Sequence, residues 1–284
     1  ATLLHPHPAL KAVSEQASPT DEWYNDDNHR YGALRLSYTF EYAVMEESAK
    51  LANTSFQFDR WDTYEWYLQL GPLSNANDRY LHGKVPFWNE TVAHPDYDAF
   101  WKSQNWATEL HSATVPNLNV AGFWDQEDPW GPWDIFRRSA QDDPQHVNLI
   151  AAGPWCHGCW QEPLENTLGP WSLGHDTARE FREQVEAPFF AYWLHGKGAR
   201  PDWRATTFQT GSNRWRRYDA WPPKEAAPTS LYLHADGSLG FEAPAAADKG
   251  TKRSYVSDPA NPVPYRPRPI SPTYPDGDWV RWES

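Results

Sequence analysis

No Gly-x-Ser-x-Gly occurs anywhere in the 284 residues of this chain. That excludes an ordinary nucleophile elbow within it, because the strained strand-to-helix turn needs glycines flanking the serine so that its Oγ can project. Ser37 in Leu-Ser-Tyr and Ser212 in Gly-Ser-Asn come nearest in composition, and each lacks one or both glycines. Basic residues are scarce as well. With 25 Lys and Arg against 38 Asp and Glu the net charge is −13, which argues against nucleic acid as a partner, since phosphates call for clustered cations. No apolar run reaches the roughly 18 residues of a membrane span, so no membrane partner is expected. Cysteine is limited to Cys156 and Cys159, on either side of His157 in Cys-His-Gly-Cys. One pair cannot close a four-ligand zinc site and does not make a disulfide scaffold. Local packing beside the histidine is preferred to a metal or redox pair, and neither metal nor cofactor is expected.

What is present is an acid and a base in matching settings. After the apolar run Val115 to Val120 comes Gly122-Phe-Trp-Asp-Gln-Glu-Asp-Pro-Trp-Gly-Pro-Trp133, a Gly/Pro/Trp-rich loop with Asp125, Glu127 and Asp128. The run His146-Val-Asn-Leu-Ile-Ala-Ala-Gly-Pro-Trp-Cys-His157 repeats the design and puts a histidine 32 residues beyond Asp125. Open α/β sheets place their chemistry in loops at the carboxyl ends of strands. An acid after one strand and a histidine after the next form the tail of the order nucleophile, acid, histidine in α/β-hydrolases. For Asp125 the alternative is a loop carboxylate capping backbone donors. For His157 it is a histidine hydrogen-bonded near the surface.

Four segments in order, His94-Pro-Asp-Tyr-Asp-Ala-Phe-Trp101, Gly122-Phe-Trp-Asp-Gln-Glu-Asp128, Gly153-Pro-Trp-Cys-His-Gly158 and Tyr255-Val-Ser-Asp-Pro-Ala-Asn-Pro-Val-Pro-Tyr265, resemble the α-amino-acid ester hydrolases. These are β-lactam antibiotic acylases related to cocaine esterase and X-prolyl dipeptidyl aminopeptidases. The resemblance covers essentially the whole chain. It implies that Ala1 to Lys11 follows the nucleophile elbow, so that the serine sits roughly a dozen residues before Ala1. The chain then reads as a fragment, or as one piece working with a companion polypeptide that carries the nucleophile.

The expected fold is an α/β-hydrolase core, of which this is the C-terminal part, with a helical cap and then an incomplete jelly-roll-like β-sandwich. Residues 1–31 read as core, with a strand over Leu10 to Ala17 and a polar loop, Asp21 to His29, at its end. Residues 32–113, rich in aromatics and helix formers such as Glu41 to Ala52 and Tyr64 to Leu70, read as the cap. Residues 114–198 return to the core and close with a helix whose capping box is Thr177-Ala-Arg-Glu180 and whose apolar face is Phe181, Val185, Phe189 and Tyr192 or Trp193. Residues 199–284, with short β-rich pieces such as Trp203 to Gln209 and Ser230 to His234, read as the partial sandwich; the jelly roll is what the resemblance implies.

His157 is expected to act as general base and acid, and Asp125 to orient it. Glu127 and Asp128 are superfluous for acyl transfer, and carboxylates gathered in one cleft call for a cation. The resemblance implies that a third carboxylate from the loop after the preceding core strand completes a site for the substrate's α-ammonium. By position this is best matched by Asp26, with Asp27 the neighbour it can be confused with. Solvated loop acids are the plain alternative. Trp124, Trp130, Trp133, Trp155 and Trp160 flank the two loops and suit either an apolar acyl pocket or core.

The expected function is a serine hydrolase of α-amino-acid esters and amides, including acyl transfer to or from β-lactams, on a small-molecule substrate. Cocaine-esterase-like or X-prolyl-peptidase-like specificity is the near alternative. A glycoside hydrolase with paired carboxylates, or a carbohydrate-binding module, is the distant one. Neither distant reading explains the acid-to-histidine spacing. The resemblance further implies a homo-oligomer in the periplasm or secreted.

Overall fold

The computed structural model describes residues 2–246, 250, 252–264 and 267–272. Ala1, and residues 247–249, 251, 265, 266 and 273–284 of the expected sandwich segment, lie outside them. The central sheet runs β1 (Val13–Gln16), then past the small hairpin β2 (His29–Arg30) and β3 (Ala33–Leu34) to β4 (Asn117–Gly122) and β5 (Asn148–Gly153). A second small hairpin, β6 (Thr167–Leu168) and β7 (Trp171–Ser172), precedes β8 (Ala205–Gln209) and β9 (Arg214–Tyr218). The order is β1-β4-β5-β8-β9. The first four strands are parallel and β9 is antiparallel at the edge. This is an α/β-hydrolase-like core.

Every residue of β4 and β5 is buried, as parallel strands covered on both faces must be. That is why neither carries a charged residue. Their buried asparagines are bonded to one another: Asn119 Nδ2 donates to Asn148 Oδ1 at 2.9 Å and to Leu149 O at 2.7 Å, and Asn148 Nδ2 donates to Phe136 O at 2.7 Å. One face of the sheet packs Leu118, Val120 and Leu149 against Trp155, Phe181 and Phe189. Burying a side chain of this kind contributes about 1.5–3 kcal/mol.

Between β3 and β4 the chain is helical: α1 (Leu36–Glu47), α2 (Thr63–Leu70), α3 (Pro86–Ala93) and α4 (Ala99–Gln104). Phe40, Trp66, Leu70 and Trp88 form the shared apolar core of α1, α2 and α3. The stretch Ile270 to Arg268 returns to this unit. Ile270 O accepts the Thr63 N–H at 2.7 Å, and Arg268 pairs with Asp62 and Glu65.

Three features differ from what the sequence suggests. Trp203 to Gln209 does not open a sandwich: β8 within it pairs parallel with β5 as the fourth core strand. Beyond β9 the described residues hold one two-stranded ladder, β10 (Tyr232–Leu233) with β11 (Leu239–Gly240), and no sandwich forms among them. An isolated pair of this size buries too little to stand as a domain. The long helix also starts differently. Asp176, not Thr177, is its N-cap, accepting the Arg179 N–H at 3.0 Å. The Thr177 hydroxyl is engaged elsewhere, donating to Glu165 O and accepting from Trp155 Nε1. The helix runs α6 (Thr177–Phe181), a π turn (Arg182–Glu186) and α7 (Ala187–His195). Pro188, which has no N–H to give, sits just past the widened turn.

Candidate active site

The loops after β4 and β5 are zipped together: Phe123 N–H donates to Gly153 O at 2.8 Å and Trp124 N–H to Trp155 O at 3.0 Å. Gly122 permits this, since a Cβ there would lie 2.4 Å from Trp155 O. Asp125 follows, fully buried at its side chain. Its Oδ1 accepts the N–H groups of Glu127 at 2.9 Å and Asp128 at 3.0 Å, the local turn by which a short acid shapes a loop. Its Oδ2 lies 3.1 Å from His157 Nδ1. Asp125 therefore both caps its own loop and meets the histidine.

His157 sits in a loop tied by a disulfide between Cys156 and Cys159, whose sulfurs belong to the main core. The pair is thus a local staple as well as packing. With Nδ1 on Asp125, the Nε2 edge faces Glu127, whose Oε2 is 3.8 Å away. Burial disfavours the imidazolium, but the hydrogen bond and charge of Asp125 and the charges of Glu127 and Asp27 outweigh it and hold the pKa up at about 9. Among the described residues no serine hydroxyl bonds to His157.

The candidate amine-binding acids divide. Asp26 is buried and its carboxylate is committed to backbone donors. Oδ2 accepts from Thr20 N–H at 2.8 Å and Asp21 N–H at 3.1 Å, and Oδ1 from Gly131 N–H at 2.9 Å and Trp130 N–H at 3.2 Å. It staples the loop after β1 to the start of α5 (Gly131–Ser139). Gly131 allows that approach, since a Cβ there would lie 1.8 Å from Ser18 O. The carboxylate that stands with Glu127 belongs to Asp27. Its φ of 26° lies at the edge of the left-handed region that aspartate tolerates better than most residues, and its N–H donates to Glu127 O at 2.6 Å.

Glu127 remains in the site by its contact with His157. Asp128 is buried, with Oδ2 3.8 Å from His157 Nδ1 and Oδ1 without a hydrogen-bond partner. Burial together with the charges of Asp27, Asp26 and Asp125 pushes its pKa up to about 11. Burial likewise raises Asp27 and Glu127. Crowded, buried carboxyl groups of this kind are held toward their neutral forms. A cavity of about 360 Å³ opens beside Asp27, with Glu22, Asn28 and Tyr42 in its wall.

Two residues of this site carry no signal in the loop motifs. Tyr38 in α1 places its hydroxyl 2.8 Å from Asp27 Oδ1 and 2.9 Å from Glu127 Oε2. Arg35 precedes α1, where a cation opposes the helix dipole. Its guanidinium donates to Asp27 O at 2.6 Å and Gln126 Oε1 at 3.1 Å and lies 3.9 Å over the Tyr38 ring. That misplaced charge is the one clue the sequence held. Of the flanking tryptophans, Trp155 and Trp160 are core, with Nε1 bonded to Thr177 Oγ1 and Gln16 Oε1. Trp133 packs on Trp221 and Trp124 on Trp171, while Trp130 lies against Tyr24.

An Asp–His pair at the carboxyl ends of adjacent parallel strands places the molecule among proteins of the α/β-hydrolase type. The model of one family, X-Pro dipeptidyl-peptidase (S15 family), matches residues 1–159, and the chain belongs to that family. Cocaine esterase of Rhodococcus sp. (strain MB1 Bresler) is 27% identical over 198 residues, covering 65% of this chain and 33% of the esterase. Among solved structures, an aminopeptidase from the marine sediment archaeon Thaumarchaeota archaeon superposes with a TM-score of 0.90 at 39% identity, covering 99% of this chain and 46% of that one. An α-amino acid ester hydrolase superposes with a TM-score of 0.88 at 33% identity, covering 99% and 47%. The chain thus spans a third to a half of the length of these relatives.

Proposed function

We propose that this chain carries the acid–base and amine-recognition half of a serine hydrolase acting on α-amino-acid esters and amides, β-lactams among them, with the nucleophilic serine supplied from outside these residues. The observation that carries the reading is the contiguity of two clusters. Asp125 holds His157 through Nδ1, and the Nε2 edge of the same ring faces Glu127, which shares Tyr38 with Asp27. An ammonium held by those acids stands next to the group that moves the proton, as an α-amine stands next to its carbonyl. In turnover the neutral form of His157 takes the serine proton during attack and returns it to the leaving alkoxide or amine, while Asp125 keeps the tautomer and stabilises the cation. Charge-assisted bonds from the ammonium are worth about 1.5–3 kcal/mol each.

A second reading, an aminopeptidase, is favoured by the likeness to the archaeal aminopeptidase at 39% identity. It uses the same chemistry, since a peptide's N-terminus is also an α-ammonium. Turnover of phenylglycine methyl ester, methyl phenylacetate, a dipeptide amide and a nitrophenyl glycoside tests these readings. The 284-residue chain is compared with a polypeptide that adds a Gly-x-Ser-Tyr-x-Gly segment ahead of it. The longer polypeptide is expected to hydrolyse the amine-bearing ester in strong preference to methyl phenylacetate, and preference for the dipeptide amide decides for the peptidase. The chain alone is expected to be slower by about a million-fold. Ordinary turnover by the chain alone, with fluorophosphonate on one of its serines, overturns the missing nucleophile. Glycoside cleavage overturns the reaction class.

A further inference from the structure

The Tyr38 hydroxyl lies within hydrogen-bond distance of two carboxyl groups, 2.8 Å from Asp27 Oδ1 and 2.9 Å from Glu127 Oε2. A phenol has one proton to donate. If both acids are ionised, one contact sets a lone pair against a lone pair. Both become hydrogen bonds only when one acid is protonated and donates back to the phenol oxygen.

The surroundings favour that extra proton. Around Asp27 stand Glu22 and Arg30 from the same loop and hairpin, Arg35 just ahead of α1 and Tyr42 within it. From the acid loop come Asp125 and Asp128, and from the loop after β5 comes His157. The cations are engaged nearby. Arg30 donates to His29 O at 2.9 Å, Arg35 donates to Asp27 O at 2.6 Å, and His157 meets Asp125 at 3.1 Å. The acids outnumber the cations, and burial raises Asp27 and Glu127 by more than the Tyr38 hydroxyl and the nearby cations lower them.

We propose that in the free site Asp27, Tyr38 and Glu127 share one extra proton, and that a substrate ammonium binds by displacing it to solvent, with Tyr38 as the positioning residue that spaces the two acids. The inference rests on the amine-site reading above and deepens it. The only bond broken is the carboxyl O–H, and its proton passes to the buffer. The ammonium takes its place as donor to both carboxylates, so discrimination against hydroxyl analogues comes from the requirement that the ligand bring the charge that replaces the proton.

Calorimetric titration of the 284-residue chain with phenylglycinamide, in buffers of differing ionisation enthalpy at about pH 6, below the α-amino range, counts the protons released. Mandelamide, with a hydroxyl for the amine, is the control. About one proton per bound amine is expected, with none for mandelamide, and the infrared band of a protonated carboxyl should fade on amine binding. Glu127→Gln and Asp27→Asn should each abolish that proton. Tyr38→Phe should retain it but lose about ten-fold or more in preference for amine over hydroxyl. Amine preference without proton release, an unchanged carboxyl band, or release undiminished in both amide variants overturns this inference alone. Equal binding of the two probes overturns the amine site and this inference with it.

Discussion

Replacing Asp26 and Asp27 one at a time separates a structural carboxylate from a recognition carboxylate at adjacent positions. In Asp26→Asn the amide keeps one oxygen for one pair of backbone donors and turns an NH2 toward the other. Two of the four N–H groups of Thr20, Asp21, Trp130 and Gly131 then lose their acceptor in a largely buried place. At about 1–3 kcal/mol for each unsatisfied donor, the cost is about 2–6 kcal/mol. For a chain of this size that lowers the melting temperature by about 5–20 °C. Asp27→Asn has the opposite signature. It removes a carboxyl that burial already pushes toward its neutral form, so the melting temperature should hold or rise. Opposite charges about 4 Å apart interact by about 4 kcal/mol at an effective dielectric near 20. After desolvation offsets part of this, affinity for phenylglycinamide should fall about ten- to a thousand-fold, with that for mandelamide little changed. Thermal unfolding and probe titration of the two variants decide the matter. If Asp26→Asn kept its melting temperature and lost the amine preference, the assignment of the two acids would be reversed.

In the longer polypeptide, His157→Ala and Asp125→Asn should depress turnover of amine-bearing and amine-free esters alike, by about a million-fold and about ten-thousand-fold. Steady-state kinetics with both ester types checks this, and retained activity in either variant would remove that residue from the proton-transfer pair. The chain's stability should fall as pH rises from about 6.5 to 9. In that window the folded chain holds protons that the unfolded chain has released: His157 is held up at about 9 from an ordinary 6.5, and Asp128 at about 11 from 3.8. Melting temperatures across that range should show the slope, reduced in His157→Ala; a flat or rising profile would refute it.

Local chemistry made the two core strands and their loops legible. β4 and β5 are buried on both faces, so their apolar runs stood out, and the glycine and proline that follow must break the strand. Asp125 and His157 were therefore placed at adjacent strand ends from spacing and pattern alone, and the family followed from ordered motifs. The helical stretch between β3 and β4 was visible as a block of aromatic and helix-forming residues. What pattern could not assign was any feature whose partner lies far along the chain. Short β-rich text looks the same whether it pairs with β5 or starts a second domain, so composition alone assigns β8 to the sandwich. Thr177 and Asp176 both make acceptable caps, and Trp155 and Glu165 decided between them by claiming the threonine. Asp26 and Asp27 are one peptide apart and chemically alike. Only the folded positions of Gly131 on one side and Tyr38 on the other give the first to the backbone and the second to the cleft, because a carboxylate's role is set by which donors reach it.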